Sequence, residues 1–389
     1  MGHLIHSIDE WMNGGIMQRK ILIVGGGIAG LSLGLALEQR GMAADVVERL
    51  AAPSPSGTGL YLPGNATRAI ASLGLLDRVR ANAAAVPSQA ILDRRGWRLT
   101  ETITSDVWAR CGPCLSLPHA RLHAILGAAL GESRVRHDVS VAAVDQSSGL
   151  CEVAFTDGRS AFYDLVVGAD GIHSGVRRIV RPDIGPQYGR QVCWRFITHN
   201  VSGIEGWTAM LGDGATLLGI PVSGTQAYVY ADLTLPPGTD PESFRHASLP
   251  ELFHEFAAPL HLLLERGQLD EARVHFGRPG QVDMDNWVQG RVVFIGDAAH
   301  AASPNMAQGA ALALEDALVL AEVLAAGHDL DAALAAYSER RRHRVRWVQR
   351  QCAARDKMRA LPALARAAIF GMFGERLYRR SYAPLLAPP

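Results

Sequence analysis

The sequence predicts an α/β fold: a parallel sheet covered by helices, with a second, sheet-rich domain inserted into it and helices at the C-terminal end. The first observation is an apolar run at 21–24 that leads directly into a glycine-rich segment and then a helix pattern. This order is typical of a β-α-β unit in a parallel sheet. The second observation is a stretch from about 187 to 275 dominated by strand and turn signals, after which a strand-then-helix pattern returns.

Length and composition place the chain among globular proteins with more than one domain. Its 389 residues correspond to two or three compact units, and 48% hydrophobic against 20% charged residues allows real cores. The 38 basic residues balance the 38 acidic ones, so the formal net charge is zero. Such a chain has no general electrostatic attraction to nucleic acid. We therefore expect a small-molecule partner and no nucleic acid.

The five cysteines indicate a reduced protein without a metal centre. Their odd number does not form a disulfide framework, and the single C-x-x-C, Cys111 to Cys114, lacks a second pair of ligands for zinc. We expect free thiols and a cytoplasmic location. No apolar run is long enough to cross a membrane. Residues 1–16 do not resemble a signal peptide, and Met17 directly precedes the first strand, so we leave 1–16 out of the fold prediction.

The first motif, Gly25-x-Gly27-x-x-Gly30, lies between the strand at 21–24 and a helix predicted at 31–40, with Gly41 as its C-cap. The first glycine permits the tight turn, the second lets a pyrophosphate approach the backbone, and the third allows the helix to pack on the strand. A second strand, 44–47, ends at Glu48, whose carboxylate can accept hydrogen bonds from ribose hydroxyls. The unit predicts a Rossmann-like dinucleotide site that includes Ile28, Ala29 and Arg49.

The second motif spans 164–177 and reads as a buried strand followed by a tight turn that presents Asp170 and Gly171. Such a turn can bring backbone N–H groups and one carboxylate onto a long cofactor. The alternative is that Asp170 and Ser174 only cap the following helix. The sequence leaves both interpretations open.

The third motif begins with a strand predicted at 291–295 and continues through Gly296 and Asp297 to His300. A loop of small residues from Pro304 follows, and then a helix predicted at 308–324 that ends near Gly327. Asp297 is placed to bind a cofactor polyol. The helix start at Gly309 and Ala310 offers N–H donors to a carbonyl or a developing negative charge.

These motifs predict the following division of the chain. The cofactor domain is built from 17–80, 106–183 and 283–330, the second domain from a hairpin at 81–105 and a sheet at 184–282, and C-terminal helices occupy 331–389.

Together the three motifs, in this order, resemble the flavin-dependent aromatic hydroxylases typified by p-hydroxybenzoate hydroxylase, the group A FAD monooxygenases. The resemblance covers the chain from about Arg19 to Gln351. It implies that FAD is the cofactor, with the ADP half on the first motif, Glu48 on the adenosine ribose, Asp170 near the phosphates and Asp297 on the ribityl chain. The loop from Pro304 to Ala310 would follow the flavin ring.

The sequence departs from the family pattern at two places. Ala307 occupies the position of the first glycine of a Gly-Gln-Gly loop, and we expect only a local backbone shift. His119 stands where the family tends to have an arginine, and Arg121 follows two places on; we regard both as candidate FAD contacts.

The resemblance also implies the reaction. NADH or NADPH would reduce the flavin, and O2 would react with it to form a C4a-hydroperoxide that hydroxylates an aromatic or heteroaromatic small molecule. No second glycine-rich β-α-β unit is visible for the nicotinamide nucleotide, as in the family. The same fold could instead perform epoxidation, Baeyer–Villiger-type oxygen insertion or FAD-dependent reduction. The sequence leaves the substrate and regiochemistry open, along with the choice between monomer and homodimer.

Catalytic candidates lie in the predicted covering sheet. On the two-residue period of a strand, Tyr228, Tyr230 and Asp232 share a face, where a tyrosine could hold or deprotonate a phenolic substrate and Arg195 could bind its anion. The alternative is ordinary aromatic packing. We expect His300 to be structural. The basic run 339–346 predicts a solvated helix face with ion pairs, and 358–373 a helix packed on the cofactor domain rather than on a membrane.

Overall fold

The computed structural model describes residues 19–52, 57–131, 134–268, 270, 273–327 and 329–389. The expectations for residues 1–16 and for the start at Met17 lie outside these described residues, as do parts of the predicted cofactor domain at 17–18 and 53–56.

The described residues form strands and helices that we number in chain order. The strands are β1 Ile21–Val24, β2 Ala44–Val47, β3 Gly59–Leu62, β4 Ala84–Ala85, β5 Ser88–Asp93, β6 Arg98–Ile103, β7 Leu115–Pro118, β8 Val135–Arg136, β9 Val141–Asp145, β10 Cys151–Phe155, β11 Ser160–Tyr163, β12 Leu165–Gly168, β13 Gln187–Tyr188, β14 Gln191–His199, β15 Trp207–Leu211, β16 Ala215–Pro221, β17 Gln226–Thr234, β18 His275–Gly277, β19 Gly280–Gln281, β20 Val288–Gln289 and β21 Val292–Phe294. The helices are α1 Ile28–Glu38, α2 Gly64–Ser72, α3 Leu76–Arg80, α4 Thr104–Trp108, α5 His119–Leu130, α6 Gly175–Val180, α7 Leu249–Leu252, α8 Leu260–Arg266, α9 Asp297–His300, α10 Gly309–Ala325, α11 Leu330–Arg359 and α12 Ala363–Tyr382.

The first sheet is six-stranded, in the order β20-β21-β12-β1-β2-β8. Strand β1 pairs in parallel with β2 and with β12, and β12 pairs in parallel with β21. All four residues of β1 are buried, as the continuous apolar run predicted. The three motifs therefore follow adjacent strands and meet at the carboxyl edge of one sheet, where ligands of such folds bind.

Helix α1 differs from its predicted bounds. It begins at Ile28, inside the glycine-rich motif, and ends at Glu38 instead of Arg40. Gly41 has a φ of +73°, so the left-handed turn that it was expected to provide is present just after the helix. The early start brings the first N–H groups of α1 to the glycine loop.

The second sheet is seven-stranded, in the order β18-β14-β17-β16-β15-β5-β6. Its last two strands come from the hairpin at 88–103, and β5 joins β15 in parallel. One face packs into its own core with α7 and α8, through residues such as Trp194, Phe196 and Val229. The opposite face contributes Ile220 and Tyr228 to the core of the first domain. The second sheet therefore covers the first domain with a defined face.

The prediction of a solvated helix face at 339–346 is wrong for two of its arginines. The run 339–346 lies in α11, but Arg341 and Arg344 are 0% and 7% exposed and are not part of a solvated face. They bind Glu315 and Asp316 of α10, so the carboxylates compensate the buried charges. Arg340 and Arg346 do lie on the exposed side.

Among the residues that the structure describes, no helix is both long and apolar enough to cross a membrane.

Candidate active site

The glycine-rich loop leaves open space where a phosphate would lie. Gly25 has a φ of +114°, and a Cβ there would overlap the Ala169 carbonyl, so the turn passes directly beside the second motif. A Cβ on Gly27 would meet nothing within 4 Å. The backbone at this point is therefore free for close approach by a ligand at the start of α1, where the N–H groups favour negative charge.

Glu48 and Arg49 end β2 beside this loop. The Glu48 carboxylate accepts hydrogen bonds from the Gly26 N–H at 2.7 Å and the Leu50 N–H at 2.9 Å. These bonds fix the carboxylate at the loop, half-buried, while Arg49 is exposed. This geometry suits a carboxylate that accepts hydrogen bonds from ribose hydroxyls.

Asp170 caps the following helix with one carboxylate oxygen. Its Oδ2 accepts from the N–H groups of Gly175 and Val176, and the Ser174 hydroxyl accepts from Arg177 N, so the capping interpretation is present. Its Oδ1, however, is buried and has no hydrogen-bond partner in the part of the chain that the structure describes. A buried carboxylate oxygen without a partner is unfavourable, so this oxygen is suited to accept a hydrogen bond from a bound group. Gly171, beside it, has a φ of +78° and open space.

Gly296 is held by a buried hydrogen bond, whereas the next residue, Asp297, is exposed. The Gly296 N–H donates to Asp316 Oδ2 at 2.9 Å, and His300 bonds the same oxygen at 2.6 Å. His300 is therefore structural, as expected. Within the described residues no donor pairs with the Asp297 carboxylate, which is exposed to the cleft. Desolvation by the surrounding protein raises its pKa, while His300 and Arg195 oppose the shift.

The loop from Pro304 leads into the free N-terminus of α10. Pro304 and Gly309 are exposed and Ala310 is half-buried. A Cβ on Gly309 would lie 3.8 Å from Asp297 Oδ1, which places the helix start beside that carboxylate. The N–H groups of this first turn have no acceptor inside the helix, so they can donate to a ring bound over them.

Ala307 is in the left-handed region, with φ 49° and ψ 38°. The glycine that the family has here would adopt this conformation without strain, whereas alanine loses about 1 kcal/mol. We expect Ala307→Gly to raise the free energy of unfolding by about 0.5–1 kcal/mol, part of the relief being offset by the greater freedom of glycine in the unfolded chain. Urea denaturation followed by circular dichroism measures this.

The matched control is Ala332→Gly in the first turn of α11, where the backbone is helical and the side chain exposed. That change should destabilise by about 1 kcal/mol. Equal losses at both positions would show that Ala307 is not strained.

Helix α5 brings two histidines to the centre of the site. His119 is half-buried, and burial, together with His123 and Arg195, lowers its pKa. His123, one turn later, bonds the Gly26 carbonyl at 2.7 Å. Arg121 is exposed, about 200° around the helix from His119. The structure therefore brings His119, and not Arg121, toward Arg195.

Arg195, Tyr228 and Tyr230 share the sheet face that looks onto the first domain. Arg195 pairs across the strands with Tyr230, and Ile197 with Tyr228. A Cβ on Gly59 of β3 would collide with Tyr228, which shows how closely the two domains approach. Arg195 Nε is buried and has no hydrogen-bond partner among the described residues. The Arg195 guanidinium lies close enough to Asp297 to lower the pKa of that carboxylate.

The two tyrosines remain protonated at neutral pH. Burial raises the pKa of Tyr228, with Arg195 opposing. Burial and the Asp232 carboxylate raise the pKa of Tyr230. Asp232 is itself paired with Arg359 of α11. Both hydroxyls therefore keep their protons, and neither is suited to act as a base. The Tyr230 hydroxyl is hydrogen-bonded to Asp232, which leaves Tyr228 as the donor for a ligand.

Several site residues escaped the sequence analysis. His123 has a detectable signal, because it lies four residues after His119 on the same helix face. Arg177 is 1% exposed and donates to the Ala298 carbonyl at 2.6 Å, joining the second motif to the third. Asn65 and Gln308 form a buried amide pair between residues 243 positions apart, for which the sequence has no local signal.

The strands, the glycine cradle and the acids beside it are typical of a dinucleotide-binding site, and comparison with known proteins shows a flavin-dependent enzyme. The FAD binding domain family matches residues 18–352. The chain is 33% identical over 324 residues to an aurachin C monooxygenase/isomerase of Stigmatella aurantiaca, covering 82% of this chain and 83% of that one. It is 32% identical over 344 residues to a 2-heptyl-3-hydroxy-4(1H)-quinolone synthase of Pseudomonas aeruginosa, covering 85% and 87%.

A solved structure of Klebsiella pneumoniae HpxO with FAD and uric acid superposes with a TM-score of 0.87 at 27% identity, covering 97% of this chain and 100% of that one. The chain belongs to the FAD-binding family of group A FAD-dependent aromatic monooxygenases. It is an enzyme, and the predicted family and fold class are confirmed.

Proposed function

We propose that the protein is an NAD(P)H-consuming monooxygenase that hydroxylates an aromatic or heteroaromatic small molecule through a flavin C4a-hydroperoxide. The observation that carries this proposal is the proximity of two charged side chains that lack partners among the described residues, Arg195 on the covering sheet and Asp297 beside the start of α10. A flavin ring on α10 and a substrate under Arg195 would lie between them. Bound FAD would supply the electrons and activate O2; the residues would position and enclose the reactants.

The cofactor contacts follow from the same geometry. We assign the ADP half to Gly25, Gly27, Ile28, Ala29 and Gly30, with Glu48 and Arg49 at the adenosine ribose. Asp170 Oδ1 and Gly171 serve the phosphate region, and Gly296 and Asp297 the ribityl chain. Pro304, Gly309 and Ala310 lie along the ring. His119 is the better candidate of the α5 pair, and Arg121 is the weaker because it is exposed.

The domain division proposed from the sequence is compatible with the two large sheets, since residues 88–103 and 191–277 supply all strands of the second. We retain a cytoplasmic location as a prediction from the free thiols.

Arg195 and Tyr228 would hold an oxygen of the substrate. A cationic guanidinium beside the Tyr228 hydroxyl stabilises an enolate, phenolate or ring carbonyl that gains negative charge. Such an oxygen makes the adjacent ring carbon electron-rich. Two relatives are named for a quinolone or for aurachin C, and HpxO was solved with uric acid. These names support an oxygenated nitrogen heterocycle as the first substrate class to test.

The test is a screen of 4-quinolones, purines, phenols and indoles for stimulated oxidation of NADH or NADPH, with ¹⁸O2 and mass spectrometry of the product. One labelled oxygen in the product supports hydroxylation, and hydrogen peroxide reveals uncoupled turnover. A product gaining hydrogen without oxygen would identify the reductase alternative. A labelled epoxide or lactone would identify the other two oxygenations.

Arg195→Met tests the substrate contact. We expect kcat/KM to fall about 10–100-fold, because a charged hydrogen bond is lost, while FAD binding is retained. Stopped-flow oxidation of NAD(P)H with the screened substrate measures this. The control is Arg266→Met at the exposed end of α8, far from the cleft face. Unchanged turnover in Arg195→Met would remove this residue from the proposed site.

A further inference from the structure

A buried polar chain joins the start of α10 to the C-terminal end of the protein. Gln308 precedes α10, and its side chain exchanges hydrogen bonds with Asn65 of α2: Asn65 Nδ2 donates to Gln308 Oε1 at 3.0 Å, and Gln308 Nε2 donates to Asn65 Oδ1 at 3.3 Å. Asn65 Nδ2 also donates to Glu315 Oε1 at 3.1 Å. Asn65 is 0% exposed and Gln308 2%. One amide therefore fixes both the residue before the helix and a carboxylate within it.

Glu315 connects α10 to the C-terminal helices through hydrogen bonds. Arg344 binds it through two bonds, Nη2 to Oε1 at 2.7 Å and Nε to Oε2 at 2.8 Å. The remaining donors of Arg344 reach the carbonyls of Pro384 at 3.0 Å and Leu385 at 2.9 Å. Because these groups form one hydrogen-bonded network, a change at one end of the network alters the geometry at the other end.

A second arginine holds the same terminal segment. Arg68, one turn after Asn65 on α2, donates to the carbonyls of Leu386 at 2.7 Å and Ala387 at 2.6 Å. It also lies 3.9 Å from Glu315 Oε1. The segment 384–387 therefore supplies acceptors that orient Arg68 and Arg344 around one buried carboxylate.

We propose that Asn65 is a positioning residue that couples the C-terminal segment 384–387 to the N–H donors at Gly309 and Ala310, and so tunes the flavin bound over them. This inference rests on the proposed placement of the flavin ring at the start of α10. Asn65 acts on the start of α10 through Gln308 and Glu315. Correctly aimed donors stabilise the anionic reduced flavin and thereby raise its reduction potential.

Asn65→Ala tests the coupling. We expect FAD affinity to fall about tenfold, as for the loss of a buried hydrogen bond to a charged network. We also expect the flavin midpoint potential to become more negative and its visible absorption bands to shift. Fluorescence quenching gives the affinity, and dye-coupled reduction gives the potential. The matched control is Asn200→Ala, whose amide bonds Ile204 in the loop between β14 and β15 and, among the described residues, makes no hydrogen bond to α10.

Arg68→Ala keeps the test decisive if Asn65→Ala does not fold, because Arg68 is partly exposed. It should shift the potential in the same direction by a smaller amount. Parental affinity and potential in a folded Asn65→Ala or Arg68→Ala variant would overturn the inference, as would equal shifts in Asn200→Ala. Failure of the parent protein itself to bind FAD would instead contradict the proposed function.

Discussion

Asp297→Ala is expected to yield a folded protein that loses its flavin on gel filtration. The Asp297 carboxylate has no donor from the described residues and faces the cleft beside the start of α10. In the proposed binding mode, its replacement removes charge-assisted hydrogen bonds to the cofactor's polyol, worth about 1.5–3 kcal/mol. The dissociation constant for FAD should rise about 10–100-fold. Titration of the flavin-free protein with FAD, followed by fluorescence, measures the change.

Asp297→Asn is the matched control, because the amide keeps one acceptor in the same place, and it should lose less affinity. The raised pKa of Asp297 also predicts the stability of the flavin-free protein. A carboxyl whose pKa is raised by folding stabilises the protein at low pH and loses that contribution as the pH rises through its native pKa. At neutral pH the ionised group is therefore unfavourable, and Asp297→Ala should not melt below the parent apoprotein. A variant that holds FAD as tightly as the parent would contradict the ribityl assignment.

Asp316→Ala is expected to destabilise the protein by about 3–5 kcal/mol, because it leaves buried charge without compensation. Asp316 is 0% exposed. It accepts from Arg341 Nε at 2.7 Å as well as from Gly296 N–H and His300. Arg341 is also fully buried and would retain only Glu315 as a counter-charge. Urea denaturation of the flavin-free protein measures the loss, and FAD binding should weaken too because Gly296 is adjacent to Asp297.

Asp285→Ala is the control for this prediction. Asp285 also pairs with an arginine, Arg346, but the two side chains are 98% and 50% exposed, so we expect less than about 1 kcal/mol. Equal losses at Asp285 and Asp316 would refute the explanation of the buried cluster.

The pKa of Asp316 predicts how this loss depends on pH. Burial opposes ionisation of Asp316, yet His300 and Arg341 outweigh it and lower its pKa. A lowered pKa means that the contribution is present above the unfolded value of about 3.9 and is lost as the pH falls through the native pKa. The difference between parent and Asp316→Ala should therefore shrink below about pH 4.

The strands and the turn of the first motif were predictable because each depends on residues that are adjacent in the sequence. The run 21–24, the glycine turn and the strand 44–47 each carry their own signal, and the structure has both strands at those bounds. The expectation that 227–233 lies in a covering strand is met by β17, extended by one residue at each end. Periodicity then placed Tyr228 and Tyr230 on one face, and only the structure shows that this face meets the first domain.

The remote part of the site could not be predicted, because its partners are far apart in the chain. The basic pattern at 339–346 has the same appearance whether α11 is solvated or buried; Glu315 and Asp316 decide the outcome for Arg341 and Arg344. The alanine at 307, in place of the family's glycine, was expected to shift only the local backbone. In the structure, Ala307 adopts the left-handed backbone conformation. Asn65 shows no pattern at all until its partner Gln308 is in place.

A crystal structure of the protein with FAD and an accepted aromatic substrate would show where the flavin and the substrate lie. We predict that the flavin ring lies over the N–H groups of Gly309 and Ala310, with the ribityl hydroxyls at Asp297 and the substrate oxygen at Arg195 and Tyr228. A flavin ring held elsewhere, or a substrate on the opposite face of the covering sheet, would contradict it.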